Sequence, residues 1–275
     1  MRELRTLVCV KVVPKPEAVR VDPETRLLDR SNARAEINPP DMNALEMALA
    51  LKDLHGGWVY IVSMGPPYFE PYLRLGLAMG ADHIYLLSDR AFAGADTLAT
   101  TYTLAHGIRK IGPFDLVFCG EESSDGATGQ VPAGLAEWLD IAQLTLLTEV
   151  DVDLACNTAR GRRQLKGGYE ILEVPLPSVV SVKTACNEPR FMDYHIKAWA
   201  FDEGQVTVWD AADLQADPEC IGLAGSPTTV SELAEAPFRE RRRHFLQGTP
   251  EEMARQLADL LQRRTIDLRF SEERS

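Results

Sequence analysis

The chain has 275 residues, of which 45% are hydrophobic and 25% are charged, a composition typical of a folded protein of one or two domains. With 29 Lys and Arg against 41 Asp and Glu, the net charge of −12 argues against binding nucleic acid or an anionic membrane through a basic surface. No apolar run reaches the roughly 18 residues that a membrane-spanning helix needs.

The first 140 residues alternate between short apolar strands and amphipathic helices. Strands are predicted from apolar, β-branched runs, and helices from apolar residues that recur at three- and four-residue steps. We predict strands at 7–13, 58–63, 84–87 and 116–119, and helices at 41–54, 70–79, 96–111 and 129–139. Asp41 is the predicted N-cap of the first helix. This alternation predicts a parallel sheet with helices on both faces.

The second half of the chain has a different pattern. It contains strand-like segments at 144–152, 170–174, 179–183 and 205–209, with a turn at Gly167-Gly168, and they predict strands added to the same sheet or its edge. Thr249, Pro250 and Glu252 form a capping box at the start of a last helix. We therefore predict a nucleotide-binding domain at 1–209 and an extended C-terminal arm at 210–275. The apolar face of the last helix must dock, either on its own domain or on a partner subunit.

The segment that follows the strand at 116–119 is the most informative part of the sequence. Its loop contains glycines, hydroxyls and carboxylates, Asp125 among them, and it leads directly into a helix. Backbone N–H groups at a helix start bind anions, so a phosphate could be bound at 128–131, and Asp125 or Thr128 could orient a ribose or cap the helix. The spacing alone does not decide between a nucleotide site and an ordinary capped loop. Neither a Walker loop nor a GxGxxG fingerprint is present.

The other chemistry-bearing residues have ordinary interpretations. Asp96 or Thr97 is a predicted helix N-cap, and Cys9 and Cys119 are predicted to be small buried hydrophobic residues. The five cysteines and five histidines form no CxxC or HExxH motif, which predicts reduced thiols, a cytoplasmic location and no metal site. No nucleophile with its base is visible, so we predict no catalytic residue.

Several blocks of the sequence match one family. These are VCVK at 8–11, NPPDMNALE at 38–46, GLAMGAD at 76–82, DGATGQV at 125–131, LPSVV at 176–180 and NEPR at 187–190. On these residues the chain resembles, over essentially its whole length, the β subunit of electron transfer flavoproteins. The resemblance implies a Rossmann-like fold of the adenine nucleotide alpha hydrolase type, with extra C-terminal strands and a C-terminal arm that lies on an α subunit. It also implies an electron carrier rather than an enzyme.

The resemblance further implies two cofactor sites in an αβ heterodimer. One FAD is held mainly by the α subunit and faces this chain, while the β subunit holds AMP in ordinary members or a second FAD in electron-bifurcating members. The positions that correspond to the second site are Cys9, Asn38, Pro39, Asp41, Met64, Asp96, Thr97, Thr100, Cys119, Gly120, Ser123, Asp125, Gly126, Thr128, Gly129, Gln130 and Val131.

Three further blocks resemble the bifurcating branch, at 43–49, 88–100 and 221–227, and favour a second FAD over AMP, with NADH delivering hydride near Asp96 and Thr97. Glu121 and Glu122 replace an Arg-Gln pair of that branch, a change that should weaken phosphate binding. The segment after Arg190 corresponds to the family's docking loop for partners such as acyl-CoA or other dehydrogenases or a quinone oxidoreductase, but it lacks the usual leucine.

Two other protein classes with related folds are alternatives. A nucleotide-sensing module of the universal-stress type would bind AMP or ATP without redox activity. An ATP-pyrophosphatase-like enzyme would require an SGGxDS-type loop after the first strand, where this chain has KVVPKP at 11–16.

Overall fold

The computed structural model describes residues 2–15, 20–21, 28–29, 35–184, 186–229 and 245–272. Contacts divide the chain into two compact units, Met1–Leu233 and Ala234–Ser275. The domain division at residue 209 stays a prediction. Within the described residues, no helix is both long enough and apolar enough to cross a membrane.

The first unit contains thirteen strands and six helices in its described residues. The strands are β1 Leu4–Cys9, β2 Val12–Pro14, β3 Arg20–Val21, β4 Leu28–Asp29, β5 Ala35–Ile37, β6 Gly57–Met64, β7 His83–Leu87, β8 Leu116–Gly120, β9 Ala142–Asp153, β10 Thr158–Leu165, β11 Gly168–Pro175, β12 Ser178–Val182 and β13 Val206–Trp209. The helices are α1 Pro39–His55, α2 Glu70–Met79, α3 Thr97–Ile111, α4 Val131–Leu139, α5 Tyr194–Asp202 and α6 Ala211–Leu214. Single turns of 3₁₀ helix occupy Pro67–Phe69 and Arg90–Phe92.

Nine of these strands form one sheet in the order β11-β10-β9-β12-β8-β1-β6-β7-β13. Seven neighbouring strands run parallel, namely β9, β12, β8, β1, β6, β7 and β13. Strands β10 and β11 pair antiparallel beside β9 and form one edge of the sheet. All five residues of β8 and of β12 are buried, as expected for strands covered by helices on both faces. The predicted α/β fold with a mostly parallel sheet is confirmed.

Each face of the sheet has its own hydrophobic core. Neighbouring β1 residues alternate between the two, so that Val8 packs with α1 and α2, while Leu7 packs with α3 and α4. Ala200 of α5 joins the first core, and Leu214 of α6 joins the second. The two cores cover the sheet and leave its carboxyl edge to the loops.

Several elements differ from the prediction. The strand predicted at 7–13 is interrupted, because the amide of Val10 still donates to Val62 but the amide of Lys11 donates to a side chain, and the chain then turns into β2. The sequence did not predict β10, whose RGRR segment has little apolar character, or α5, in which Ala200 is the only buried residue. The antiparallel pairs β2–β5 and β3–β4 were also missed.

Among the residues of the second unit that the structure describes, there is one helix, α7 Pro250–Glu272. Its predicted capping box is confirmed: the Thr249 amide donates to Glu252 Oε2 over 2.8 Å, and the Glu252 amide donates to Thr249 Oγ1 over 3.3 Å. The surface on which this helix docks stays a prediction.

Candidate functional site

The order of the strands defines one special place in the sheet. From β1 the chain proceeds through β6 and β7 on one side, and then returns to β8 on the other side of β1. Ligands of open α/β sheets bind at such a switch point, beyond the carboxyl ends of the strands. Here the switch point lies between Cys9, the last residue of β1, and Gly120, the last residue of β8. Met64 ends β6 at the same edge of the sheet.

Asp41 joins the two sides of this switch point. The prediction that it caps α1 is wrong: the helix begins at Pro39, with Asn38 in the N-cap position and no side-chain cap. Instead Asp41 Oδ2 accepts from the Lys11 amide over 2.8 Å, and Oδ1 accepts from the Gly120 amide over 3.2 Å. Burial raises the pKa of Asp41 to about 7, although these amides, Asn38 and the Lys11 charge oppose the shift.

Asn38 holds the loop that follows β8. Its side chain is buried, and its Nδ2 donates to the Glu122 carbonyl over 2.9 Å while its Oδ1 accepts from the Ser124 amide over 3.0 Å. Both ends of the Asn38 amide are therefore used within the protein. The residue positions the loop, and Pro39 beside it is exposed.

The sequence analysis did not identify Lys11, whose ammonium group contacts the loop that follows β8. Its Nζ lies 2.6 Å from Asp125 Oδ1 and 3.5 Å from Ser123 Oγ. Burial disfavours ionisation of Asp125, but the hydrogen bond and charge of Lys11 outweigh it and lower the pKa of that carboxyl. The available signal was the position of Lys11, directly beyond the apolar end of the first strand, where ligand contacts of a parallel sheet are found.

The loop from Ser123 to Gln130 is closed by its own backbone. The amides of Gly126 and Ala127 both donate to the Ser123 carbonyl, and Ala127 and Gly129 have left-handed backbones, with φ of 48° and 62°. Helix α4 begins at Val131 with no side-chain cap, so neither Asp125 nor Thr128 caps it. The amides of Val131 and Ala133 consequently remain suited to an anion, whereas Pro132 between them has no N–H.

Cys9 and Cys119 are buried on neighbouring strands, as predicted. The neighbouring Cys9 thiol, burial and the nearby Asp41 raise the pKa of Cys119 well above its usual value. The thiol of Cys119 is therefore neutral and unreactive at physiological pH.

The predicted residues Asp96 and Thr97 approach the loop from α3. Asp96 caps this helix, because its Oδ1 accepts from the amides of Leu98 and Ala99, and this confirms the N-cap prediction. Thr97 Oγ1 donates to Gln130 Oε1 over 2.9 Å. Thr100 lies three residues beyond the first residue of α3 and donates its amide to the Asp96 carbonyl.

Two clefts flank the loop, and they include only Pro39 and Gly129 of the predicted residues. One has about 390 Å³ and is lined by Glu121, Glu122, Gly129, Ala133, Gln143, Thr145, Leu146 and Ser181. The other has about 520 Å³ and is lined by Glu36, Ile37, Pro39, Met42, Asn43, Leu75, Thr184, Pro189 and Met192. The predicted residues therefore combine a buried base, to which Cys9, Asn38, Asp41, Cys119 and Gly120 belong, with an exposed loop at 124–130.

Glu121 is turned away from the loop. Its Oε1 accepts from the Thr184 amide over 2.8 Å, and its other oxygen lies 3.8 Å from Lys183 Nζ. Burial opposes ionisation, but the bonds from Thr184 and the Lys183 charge lower the pKa of Glu121. Lys183 therefore offsets the charge of Glu121, one of the two acids that were expected to weaken phosphate binding.

The NEPR block fastens the following segment to α1. Asn187 and Asn43 exchange hydrogen bonds through their side-chain amides and backbone carbonyls. Arg190 pairs with both oxygens of Glu46 and lies 2.8 Å from Asp53. Beyond this anchor, α5 and its approach expose a set of large apolar side chains: Phe191, Met192, Tyr194, Ile196, Trp199 and Phe201.

Replacing Arg190 should loosen this segment. We expect Arg190→Met to lower the free energy of unfolding by about 1 kcal/mol, because Glu46 loses a bidentate ion pair with a guanidinium that is only partly exposed. Arg190→Lys should recover little of this, since an ammonium cannot pair with both oxygens in the same way. Urea unfolding and limited proteolysis near 187–193 check this; full recovery by Lys would show that charge alone matters.

The chain was compared with known proteins. The family model described as "Electron transfer flavoprotein domain" matches residues 25–214. The electron transfer flavoprotein subunit beta of Clostridium acetobutylicum is 44% identical over 227 residues, which cover 82% of this chain and 86% of the relative. Protein FixA of Azotobacter vinelandii is 42% identical over 89% of each chain.

The third relative covers more of the sequence. It is the caffeyl-CoA reductase–Etf complex subunit CarD of Acetobacterium woodii, 39% identical over 96% of this chain and 100% of its own length. The family model spans more than half of the chain, and each of these relatives is more than 30% identical over most of its length. The chain therefore belongs to the electron transfer flavoprotein family.

Proposed function

We propose that this chain is the β subunit of a two-chain electron transfer flavoprotein, in which it carries electrons with an α subunit. Relatives named as β subunits match most of its length, and the matched region includes β6 to β13. Flavin, when bound, supplies the redox chemistry, and the protein supplies binding, orientation and exclusion of water. FAD is shared with the α subunit, whose face this chain covers.

We further propose an adenine nucleotide at the carboxyl edge between β1 and β8. One observation carries this proposal: the exposed Ser123–Gln130 loop is fixed at the switch point by Asn38, faces the Lys11 cation, and leads into a helix whose start has no side-chain cap. Phosphate oxygens would accept from the amides around 128–131, and Lys11 would exchange Asp125 for a phosphate. Asp125, once released, would be free to bind a ribose hydroxyl.

We propose that this nucleotide is a second FAD rather than AMP. The blocks at 43–49, 88–100 and 221–227 resemble the bifurcating branch, and this interpretation adds NADH as electron donor. Lys11 pairs with Asp125 and Lys183 lies near Glu121, so two of the local carboxylates are balanced by cations and repel a diphosphate less strongly.

The exposed apolar side chains around α5 are the proposed docking surface for a dehydrogenase or a quinone oxidoreductase. Phe191 is fully exposed and Tyr194 nearly so, and Arg190 holds the approach to this helix on α1. Exposed aromatic residues at the centre of such a patch are typical of protein interfaces. The free cysteines among the described residues fit our proposal that the complex works in the cytoplasm.

The function can be tested on the chain purified together with its α subunit. Denaturation followed by chromatography should release two FAD per heterodimer; one FAD with one AMP would support the same site with the smaller ligand. A colourless heterodimer without any adenine nucleotide would contradict the proposal. A stable homodimer that contains ATP and no flavin would favour the nucleotide-sensing alternative.

Lys11→Met should weaken nucleotide binding by roughly tenfold, because a charge-assisted bond to phosphate is worth about 1.5 kcal/mol. Lys15→Met is the matched control, since Lys15 pairs with Glu36 and the same charge is lost. Titration of the nucleotide-free complex with AMP and with FAD measures the Kd of each variant. Equal losses in the two variants would mean that net charge, rather than a contact, is responsible.

A further inference from the structure

Two segments that are far apart in sequence are fastened together beside the nucleotide loop. The segment 221–228, here called the clasp, lies on the connection between β7 and α3. The Asp96 amide donates to Ser226 Oγ over 2.8 Å, and Ser226 Oγ in turn donates to the Gly222 carbonyl over 2.7 Å. The Thr228 amide and hydroxyl both donate to Asp96 Oδ2, over 3.0 and 2.7 Å.

The clasp is also packed against this connection. Ile221 and Phe92 are both buried in the same hydrophobic cluster. Gly222 has a left-handed backbone with φ of 52°, and a Cβ at this position would overlap the carbonyl oxygen of Ala91. At Gly94, a Cβ would lie 3.4 Å from Leu223. The two backbones approach so closely that a side chain at Gly222 would separate them.

The carboxylate of Asp96 is fully used by these contacts. A carboxylate offers about four acceptor positions. In Asp96 they receive the amides of Leu98 and Ala99 on Oδ1, and the amide and hydroxyl of Thr228 on Oδ2. No acceptor position is left for a ligand. Asp96 is thus a positioning residue that joins the start of α3 to the clasp.

The start of α3 in turn positions the start of α4. Thr97 Oγ1 donates to Gln130 Oε1, and Gln130 is the residue directly before α4. One turn further, Thr101 lies against Gly134, where a Cβ would be 2.9 Å from Thr101 Cγ2. Two successive turns of α3 therefore contact two successive turns of α4, and α4 begins where the nucleotide loop ends.

We propose that the clasp sets the affinity of the nucleotide loop: through Asp96 and Thr97 it holds Gln130 and the first turn of α4 in the position that binds phosphate. The inference rests on the proposed nucleotide function only in its last step, the binding of phosphate. The contact from the clasp to α4 can be measured without a ligand.

Gly222→Ala tests the clasp, with Gly56→Ala as its matched control. Both glycines have left-handed backbones, but a Cβ at Gly56, where φ is 71°, meets nothing within 4 Å. In the full chain bound to its α subunit, Gly222→Ala should raise the Kd for AMP and for FAD roughly fivefold, the equivalent of about one lost hydrogen bond. It should also speed hydrogen exchange in the first turns of α4 without ligand. Gly56→Ala should do neither.

A double-mutant cycle with Thr228→Val and Thr97→Val gives a second test that disturbs the backbone less. If the clasp acts through Thr97 and Gln130, the second substitution should add little to the effect of the first on Kd. Additive effects, or native affinity and exchange in Gly222→Ala, would overturn the clasp proposal. Failure of the native complex to bind either nucleotide would instead overturn the proposed nucleotide function.

Discussion

Between about pH 5.5 and about pH 8, the free energy of unfolding of the native chain should fall by about 2 kcal/mol more than that of the Asp41→Asn variant. Burial raises the pKa of Asp41 from 3.8 to about 7. The folded protein therefore binds the proton more tightly than the unfolded chain does. Stability from this group is complete below the unfolded pKa, and it is lost as the pH rises through the folded value of about 7.

The quantity to measure is how much more steeply the unfolding free energy of the native chain falls with pH than that of Asp41→Asn. The Asn amide cannot accept from both Lys11 and Gly120, so the variant should also be less stable by a constant amount at every pH. Urea unfolding at several pH values checks this, with Asp151→Asn, at an exposed position on β9, as the control. Parallel pH profiles for the native chain and Asp41→Asn would show that Asp41 titrates normally.

Gly120→Ala should cost about 3 kcal/mol of unfolding free energy, at the upper end of overpacking effects. A Cβ at this position would lie 2.5 Å from Asp41 Oδ1 and 2.7 Å from the Pro40 carbonyl carbon. Backbone at the start of α1 cannot move aside without breaking the Asp41 bonds to β8 and to Lys11. The variant should therefore also lose nucleotide from the complex.

Gly168→Ala is the control for this experiment, because a Cβ in the β10–β11 turn meets nothing within 4 Å. Thermal unfolding and nucleotide content measured together separate the two effects. A Gly120→Ala protein of native stability that keeps its nucleotide would mean that α1 and β8 are not tightly packed at the switch point.

Local sequence patterns predicted the elements of the central sheet well. Helix α2 was predicted at 70–79 and lies at Glu70–Met79, and the strand predicted at 116–119 gains only Gly120. These elements have strong apolar periodicity or continuous apolar runs, which depend on neighbouring residues alone. Helix α5 lacks a clear apolar face and was missed, because its packing depends on Ala200 and on carbonyls bound by Arg74 of α2.

The candidate site was predicted less completely. The strand–loop–helix pattern located the loop at 120–131, and the resemblance to a family added the other positions, but local rules assigned Asp41 to a helix cap that it does not form. Cap preferences describe the nearest backbone amides, whereas the amides that Asp41 binds belong to residues 30 and 79 positions away. Lys11 was overlooked for the same reason, since its partner Asp125 follows 114 residues later.

By itself, the sequence determined the alternation of strands and helices, the parallel sheet and the loops that end at one edge, because hydrophobic periodicity is a local property of the chain. Only the tertiary structure decided which of those loops meet: Lys11 with Asp125, Thr97 with Gln130, and Asp96 with Thr228. These contacts follow from strand order and from close approach of backbones at glycines. The raised pKa of Asp41 is likewise a tertiary property, because removal from water, and not residue type, sets it.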